Sequence, residues 1–307
     1  MRKRSIWLIG CAGLMGLIAV TPWWYFSHRR VPIMRPLVLV DYRGLYITYD
    51  GSKVDYLTSP RDKKGEGVLF PEFVEWQDKL VYWADTDKAL AIVQSNGQTR
   101  WLDISKHLPP ATERVRLVIL DNEVLLNLYS RTLVCRYLGV LRVNLLTGTV
   151  SVVPHVLEAR ASSEEGYLAL LGEDGVVKVN TAAGTRTYDC NVELIDWDYD
   201  AQNEYLVVLT EGGVEILSSD SAFSVSPPWP YFGKRVYARP EARGFWLLCH
   251  KPFHFGSVVL AYDYDGKLKG KVLETGYEFR GIIEASDQSI ATLTRMKKVW
   301  VSSPHGN

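Results

Sequence analysis

Two kinds of β-hairpin alternate along this chain from residue 37 to its end, and that alternation limits the fold more than any other feature. The first kind is an apolar strand, a turn with Gly, Asn, Asp or Ser, then a more polar strand. It runs through Leu45–Tyr49 with Asp50-Gly51, Leu90–Val93 with Asn96-Gly97, and Val140–Asn144 with Thr147-Gly148. It returns at Val176–Asn180 with Gly184, Val214–Leu217 with Ser218–Ser221, and Val258–Asp263 with Asp265-Gly266. Asn-Gly and Asp-Gly suit these places because tight hairpin turns need positive φ, which Gly and Asn tolerate. The second kind bends at Gln77-Asp78, Asp121-Asn122, Glu164–Gly166, Asp200–Asn203, Arg243-Gly244 and Asp287-Gln288. Taken in pairs, the two kinds give a unit of roughly 41 residues, a period typical of radial repeats.

Units of this length with four short strands each predict an all-β fold, a β-propeller of about six blades. Five units fit between Phe70 and Glu274. Leu37–Ser59 and Glu278–Ser303 then supply one blade shared by both ends, which closes the ring and removes a long unpaired edge. Spare strands at Leu37–Tyr42 and Val299–Ser302 leave room for a seventh blade. A β-sandwich is the alternative fold, though it does not explain the alternation of hairpins. No amphipathic helix is expected from Leu37 onward. In pattern the hairpins resemble those of the broad β-propeller superfamily, with its quinoprotein-like, TolB-like and WD-repeat-like members. The Trp-Asp pair occurs once, at Trp197-Asp198, without a Gly-His partner, so the resemblance implies the fold and carries no family function.

Ahead of the repeats, Arg2, Lys3 and Arg4 precede an uncharged run from Ser5 to Ser27, about the 20 residues that cross a bilayer core. The run ends in Trp23-Trp24-Tyr25-Phe26 before His28, Arg29 and Arg30, the aromatic and basic pattern of a headgroup boundary. Bulky residues stand where a signal peptidase would need small ones. The Leu8-Ile9-Gly10-Cys11 lipobox likeness has only a short apolar stretch before it. The expectation is therefore a single-pass signal anchor in residues 1–30, inserted in the membrane through residues 5–27, and a propeller domain over residues 35–304. The basic N-terminus places that end in the cytoplasm and the body outside it, in the periplasm if the source is bacterial.

The 35 basic residues equal the 35 acidic ones. Phosphate binding usually demands a basic excess, so no nucleic-acid partner is expected. Of the four cysteines, Cys11 falls in the apolar run. Cys135, Cys190 and Cys249 show no Cys-x-x-Cys spacing and read as small buried strand residues, a bridge between two of them staying open.

Three patterns carry possible chemistry. Asp196, Asp198 and Asp200 alternate along a strand, and alternate carboxylates can converge on calcium; yet they also approach a turn, where Asp is favoured anyway. No other cofactor is expected. Cys249, His250 and His254 offer zinc-type ligands, but neighbours on a strand point apart. Trp229, Tyr231 and Phe232, after Pro227-Pro228, form an aromatic inter-blade loop that either packs between blades or docks a partner. There is no nucleophile elbow, phosphate loop or dinucleotide fingerprint. His107, His155 and His250 fall on different units and would matter only if they met at one channel mouth.

These features together predict a membrane-tethered, non-catalytic interaction scaffold with a protein partner. The alternatives are a propeller enzyme or cofactor-binding protein (hydrolase, lyase or quinoprotein-like) and an extracytoplasmic ligand or glycan sensor. Fold alone does not decide between them.

Overall fold

The computed structural model of the chain describes residues 25, 28–68, 72–131, 135–190, 194–219, 221–251 and 256–301. Its strands form six four-stranded antiparallel sheets. Blade 1 joins β24 (Gly281–Glu284) to β1 (Leu37–Val40), β2 (Leu45–Thr48) and β3 (Asp55–Thr58). Blade 2 is β4 (Phe73–Trp76), β5 (Lys79–Ala84), β6 (Ala89–Val93) and β7 (Thr99–Asp103); blade 3 is β8 (Arg114–Leu120), β9 (Glu123–Arg131), β10 (Cys135–Asn144) and β11 (Val150–Val153). Blade 4 is β12 (Val156–Ser162), β13 (Tyr167–Gly172), β14 (Val176–Thr181) and β15 (Gly184–Asp189). Blade 5 is β16 (Leu194–Asp200), β17 (Tyr205–Thr210), β18 (Gly213–Leu217) and β19 (Ala222–Val225), and blade 6 is β20 (Phe232–Arg239), β21 (Gly244–His250), β22 (Ser257–Asp263) and β23 (Leu268–Thr275).

Period-two alternation explains why these sheets stack radially. Successive strand residues point to opposite faces, and here both faces are apolar. Leu37 and Leu39 pack into a cluster with Trp246, Leu248 and Val259 of blade 6. Val38 and Val40, one residue out of phase, pack with Phe73, Leu80 and Tyr82 of blade 2. Each of the six blade interfaces holds one such cluster. Middle strands such as β6 and β22 are therefore almost wholly buried, while fourth strands such as β7 and β19 are largely exposed. First strands of neighbouring blades face one another and line the axis. All of them run the same way, which defines an upper face where they begin and a lower face where they end.

The ring closes as expected, with Val38 opposite Ile283 and Val40 opposite Gly281. The segment Leu37–Tyr42 is thus no spare strand; it supplies the second strand of blade 1, and the blade number is six. The sequence expectation fails after Glu284. Where a hairpin at Asp287-Gln288 and a strand from Val299 were expected, helix α1 spans Asp287–Val301. Ser286 caps it: the Ser286 Oγ accepts the Ser289 N–H at 3.1 Å and itself donates to Glu75. Ile290, Leu293 and Met296, spaced three apart, turn to the blade 1–blade 2 core, with Leu293 and Met296 fully buried. The β-branched run of Ile290, Thr292 and Thr294 reads as a strand, but β1 already occupies the pairing edge it would need.

The expected membrane segment, residues 5–27, lies outside the described residues except for Tyr25. Among the described residues no helix is long and apolar enough to cross a membrane. Residues 29–31 are pinned to the outer edge of β23. There the Val31 N–H donates to the Lys271 carbonyl at 2.8 Å and the Lys271 N–H to the Arg29 carbonyl at 2.7 Å. Gly270 makes this possible: at φ +150°, a Cβ there would stand 2.3 Å from the Arg29 carbonyl oxygen.

Candidate functional site

Each innermost strand has one edge with no strand to pair it, so its N–H groups need other acceptors. Side chains of the preceding blade provide them. Asn127 on β9 bridges Ala159 of β12, accepting its N–H at 2.7 Å and donating to its carbonyl at 2.9 Å. Asp196 and Asp198 on β16 accept the Val236 and Ala238 N–H groups of β20, both at 2.9 Å. The Tyr237 hydroxyl accepts the Ile282 N–H of β24 at 3.0 Å.

Three innermost strands also share a β-bulge near their upper ends, at Val156/Glu158, Leu194/Asp196 and Gly233/Arg235. A bulge re-aims the side chain that follows it. Glu158, Asp196 and Arg235 are those side chains; the first two meet Arg116 of β8, and Arg235 pairs with Glu72. Arg116 Nη1 lies 2.9 Å from Asp196 Oδ1 and 3.2 Å from Glu158 Oε1. Arg160 Nη2 lies 2.5 Å from the same Asp196 oxygen and 3.1 Å from the same Glu158 oxygen. The other Glu158 oxygen accepts the Trp197 indole N–H at 2.9 Å, and the Arg160 guanidinium sits 5.3 Å from the Trp197 ring centre. Above this cluster Glu72 takes Arg235 at 3.3 Å and Arg114 at 3.8 Å. Below it Arg239 makes a two-point contact with Glu284, at 2.7 and 3.1 Å, touches Glu241, and stacks 4.3 Å over Trp246.

The electrostatics follow from this pairing. Burial alone would raise the Asp196 carboxyl, but Arg116, Arg160 and Arg235 outweigh it and hold it well below the usual carboxylate range. Arg116 and Arg160 are driven up in turn by Asp196 and Glu158, against the desolvation that would lower them. Asp198, two residues on, behaves oppositely: desolvation dominates and its carboxyl is raised despite Arg160 and the Ala238 N–H. At the lower mouth Glu165, although largely exposed, is pushed up to about 7 by partial desolvation and by Asp198 and Asp200. A cavity of about 350 Å³ runs along the axis past Glu72, Arg160, Asp198, Arg235, Tyr237, Arg239 and Glu284. Its lining mixes these charges with apolar side chains such as Val74, Leu117 and Ile282, and most of the charges face an opposite one.

The three aspartates weighed as calcium ligands against an ordinary turn are divided among tasks. Asp196 serves the arginine cluster, Asp198 lines the cavity, and Asp200 closes the β16–β17 turn. Asp200 accepts the Asn203 N–H and side-chain amide, both at 2.8 Å, and the Tyr264 hydroxyl at 2.5 Å. Among the described residues no group of three His, Cys, Asp or Glu side chains is placed to hold a metal ion. Cys249 is buried in the blade 5–blade 6 core, whereas His250, next along β21, reaches 3.8 Å from Glu278; His254 lies outside the described residues. Cys190 and Cys249 are free thiols, pushed up by burial, Cys190 to about 11. His107 ends a short 3-10 turn and His155 sits exposed 3.3 Å from Glu173, so neither lines the axis.

The aromatic loop divides in two. Tyr231 is half-buried against the blade 5–blade 6 core, while Trp229 is 78% and Phe232 60% exposed. Phe232 lies opposite His250 in the ladder, and Lys234 and His250 both reach Glu278, beside the 54%-exposed Tyr277. Tyr277 continues to Tyr46 at 5.8 Å between ring centres and thence to the exposed Tyr56 at 5.4 Å. Exposed aromatic positions thus run as a band along the upper face, from the blade 5–blade 6 loop at Trp229 through the start of β20 at Phe232 to Tyr277, whose ring meets blade 1. Gly233 lets the band lie close, since a Cβ there would stand 2.7 Å from Leu209 Cδ1.

No family model matches the chain, and no curated protein is significantly similar to it. Solved structures match it at the level of fold. A nidogen/laminin complex aligns at 9% identity over 80% of this chain and 97% of that one, with a TM-score of 0.50. A quinonprotein alcohol dehydrogenase-like protein from Bacteroides thetaiotaomicron aligns at 10% identity over 81% and 78%, also at 0.50. Apo AztD from Citrobacter koseri aligns at 12% identity over 80% and 96%, at 0.48. The chain has the β-propeller fold, and at these identities the likeness is one of fold alone.

Proposed function

We propose that this protein is a membrane-tethered propeller that docks a protein partner on its upper face and performs no chemistry of its own. The observation behind this reading is the exposed aromatic band through Trp229, Phe232 and Tyr277. Large exposed aromatics beside ion pairs are the residues that anchor protein interfaces, burying apolar area with few rotamers to freeze. The nidogen/laminin structure, by its name a complex, is in keeping with it. The tether is residues 5–27, whose length and flanks suit a bilayer span. The test is co-purification of full-length protein from detergent-solubilised membranes. A stoichiometric partner retained by wild type and lost by the double variant Trp229→Ala/Phe232→Ala supports the reading. Retention by that variant sinks it. Tyr231 is left alone because it packs into the core.

One observation favours a second reading, a small-ligand or catalytic site in the channel. Carboxylates from several blades converge there, and Asp198 Oδ2 accepts a backbone N–H while its carboxyl is raised, as a proton-transferring group would be. Under this reading Asp198→Asn abolishes ligand binding or turnover and leaves partner capture intact. Under the docking reading it changes neither.

A further inference from the structure

We propose that the lower end of the axial cavity binds a small organic amine, its ammonium group held by Asp198 and Tyr167 and its apolar body lying along the axis. This rests on the second reading above, a ligand site in the channel, and gives that site a ligand class.

Charge is matched unevenly along the axis. At the upper mouth one carboxylate, Glu72, faces the guanidinium groups of both Arg114 and Arg235. In the middle Arg116 and Arg160 are matched by Asp196 and Glu158. At the lower end the surplus reverses, because Arg239 answers both Glu284 and Glu241. Asp198, Asp200 and Glu165 lie there as well, and none of them forms an ion pair among the described residues. Asp200 is satisfied by neutral donors, Asn203 and Tyr264. Asp198 is not. Its Oδ2 accepts the Ala238 N–H, and its other oxygen has no partner among the described residues.

A second group at this end is also unused. Tyr167, at the start of β13, is only 7% exposed and lines the same cavity, yet its hydroxyl has no hydrogen-bond partner among the described residues. Buried tyrosine hydroxyls usually find one. Besides burial, it is Asp198, Glu165 and Asp200 that hold the Tyr167 proton on, so this hydroxyl lies in their field. The raised carboxyls of Asp198 and Glu165 have the same origin, negative charge in a desolvated place without a cation. An ammonium group supplies both the charge and three N–H donors for the free Asp198 oxygen, the Tyr167 oxygen and the Glu165 carboxylate. A bare metal ion fits less well, since no ligand set for one is placed among the described residues. The cavity of about 350 Å³ is of small-ligand size, and Ile119, Ala161 and Ile283 offer its lower end an apolar wall for the rest of the molecule. A carboxylate ligand would be repelled from this end and drawn to the Arg114–Arg235 end.

The test is calorimetric titration of the detergent-solubilised full chain with phenethylamine, with the neutral 2-phenylethanol and with the anionic 3-phenylpropionate. Phenethylamine is expected to bind about tenfold more tightly than either, or better. Asp198→Asn should erase that preference, and Tyr167→Phe should weaken the amine by about threefold. Urea midpoints close to that of wild type show that each variant is folded, and Tyr167→Phe carries the test if Asp198→Asn is not. Equal or tighter binding of 3-phenylpropionate overturns the amine class and leaves the channel a ligand site. Amine binding untouched by both variants places the amine elsewhere on the protein and overturns the site. Binding of none of the three probes overturns the channel reading, and the amine site with it.

Discussion

Asp196 and Asp198 stand two residues apart on one strand, yet replacing each by Asn should have very unequal consequences. Asp196 is buried and uses both oxygens: Oδ1 takes Arg116 and Arg160, and Oδ2 takes the Val236 N–H. Asparagine offers one acceptor and turns an NH₂ toward donors. Arg116 and Arg160 are then left with Glu158 as their shared counter-charge. Breaking a buried ion pair from one side costs about 3–5 kcal/mol, a large part of a domain's total of roughly 5–15 kcal/mol. Asp198 commits one oxygen to Ala238, which an Asn oxygen replaces, and its burial already disfavours the charge. Asp198→Asn should stay within about 1 kcal/mol of wild type. Urea unfolding at pH 7, followed by tryptophan fluorescence, compares the two. Asp196 is held below its unfolded value of about 3.9, so its contribution is present above that value and lost as pH falls through the folded one. The deficit of Asp196→Asn should therefore narrow in acid. Equal costs for the two variants, or a cost below about 1 kcal/mol at Asp196, would refute the assignment of the network.

Other consequences can be checked separately. Ser286→Ala removes the cap of α1 and should speed exchange of its first-turn amides, by an amount equivalent to about 1 kcal/mol, without touching β20–β23. Gly270→Val drives a side chain into the Arg29 carbonyl and should detach residues 29–31 from β23, which proteolysis near Arg30 would report while the blades stay folded. Glu165 is raised to about 7, so its favourable contribution is complete below its unfolded value of about 4.3 and lost as pH rises through 7. Glu165→Gln should flatten the drop in urea midpoint between pH 5 and pH 8, and an unchanged drop would contradict the shift.

Much of the architecture was legible because local turn chemistry and period-two patterning repeat. The turns at Gln77-Asp78, Asp121-Asn122 and Asp200–Asn203 fall where expected, since Asp and Asn mark chain reversal whatever surrounds them. Residues 287–301 misread because a β-branched alternation and a helical spacing coexist there; the deciding fact is that β1, some 240 residues earlier in the chain, fills the pairing edge of β24. The Ser286–Ser289 cap was the available signal for the helix. The channel was hidden for a similar reason. Glu158, Asp196 and Arg235 are ordinary strand charges in isolation. Only their shared position after a bulge near the start of consecutive first strands makes them one layer, and bulges leave little mark in sequence. The alternating aspartates were visible, but their acceptors, the edge amides of β20, belong to the next blade. Trp229 and Phe232 were visible too; that Tyr277 and Tyr56 extend their surface depends on the ring bringing blade 1 beside blade 6.

The most direct test of the docking surface is photo-crosslinking in intact membranes with benzoylphenylalanine at position 229, at position 232, and at Phe223. Phe223 is an exposed aromatic on the outer strand β19 and controls for chance encounter. One discrete crosslinked protein from 229 and 232, absent from 223, is the predicted result. The same bands from all three positions, or none from any, would contradict a partner surface on the upper face.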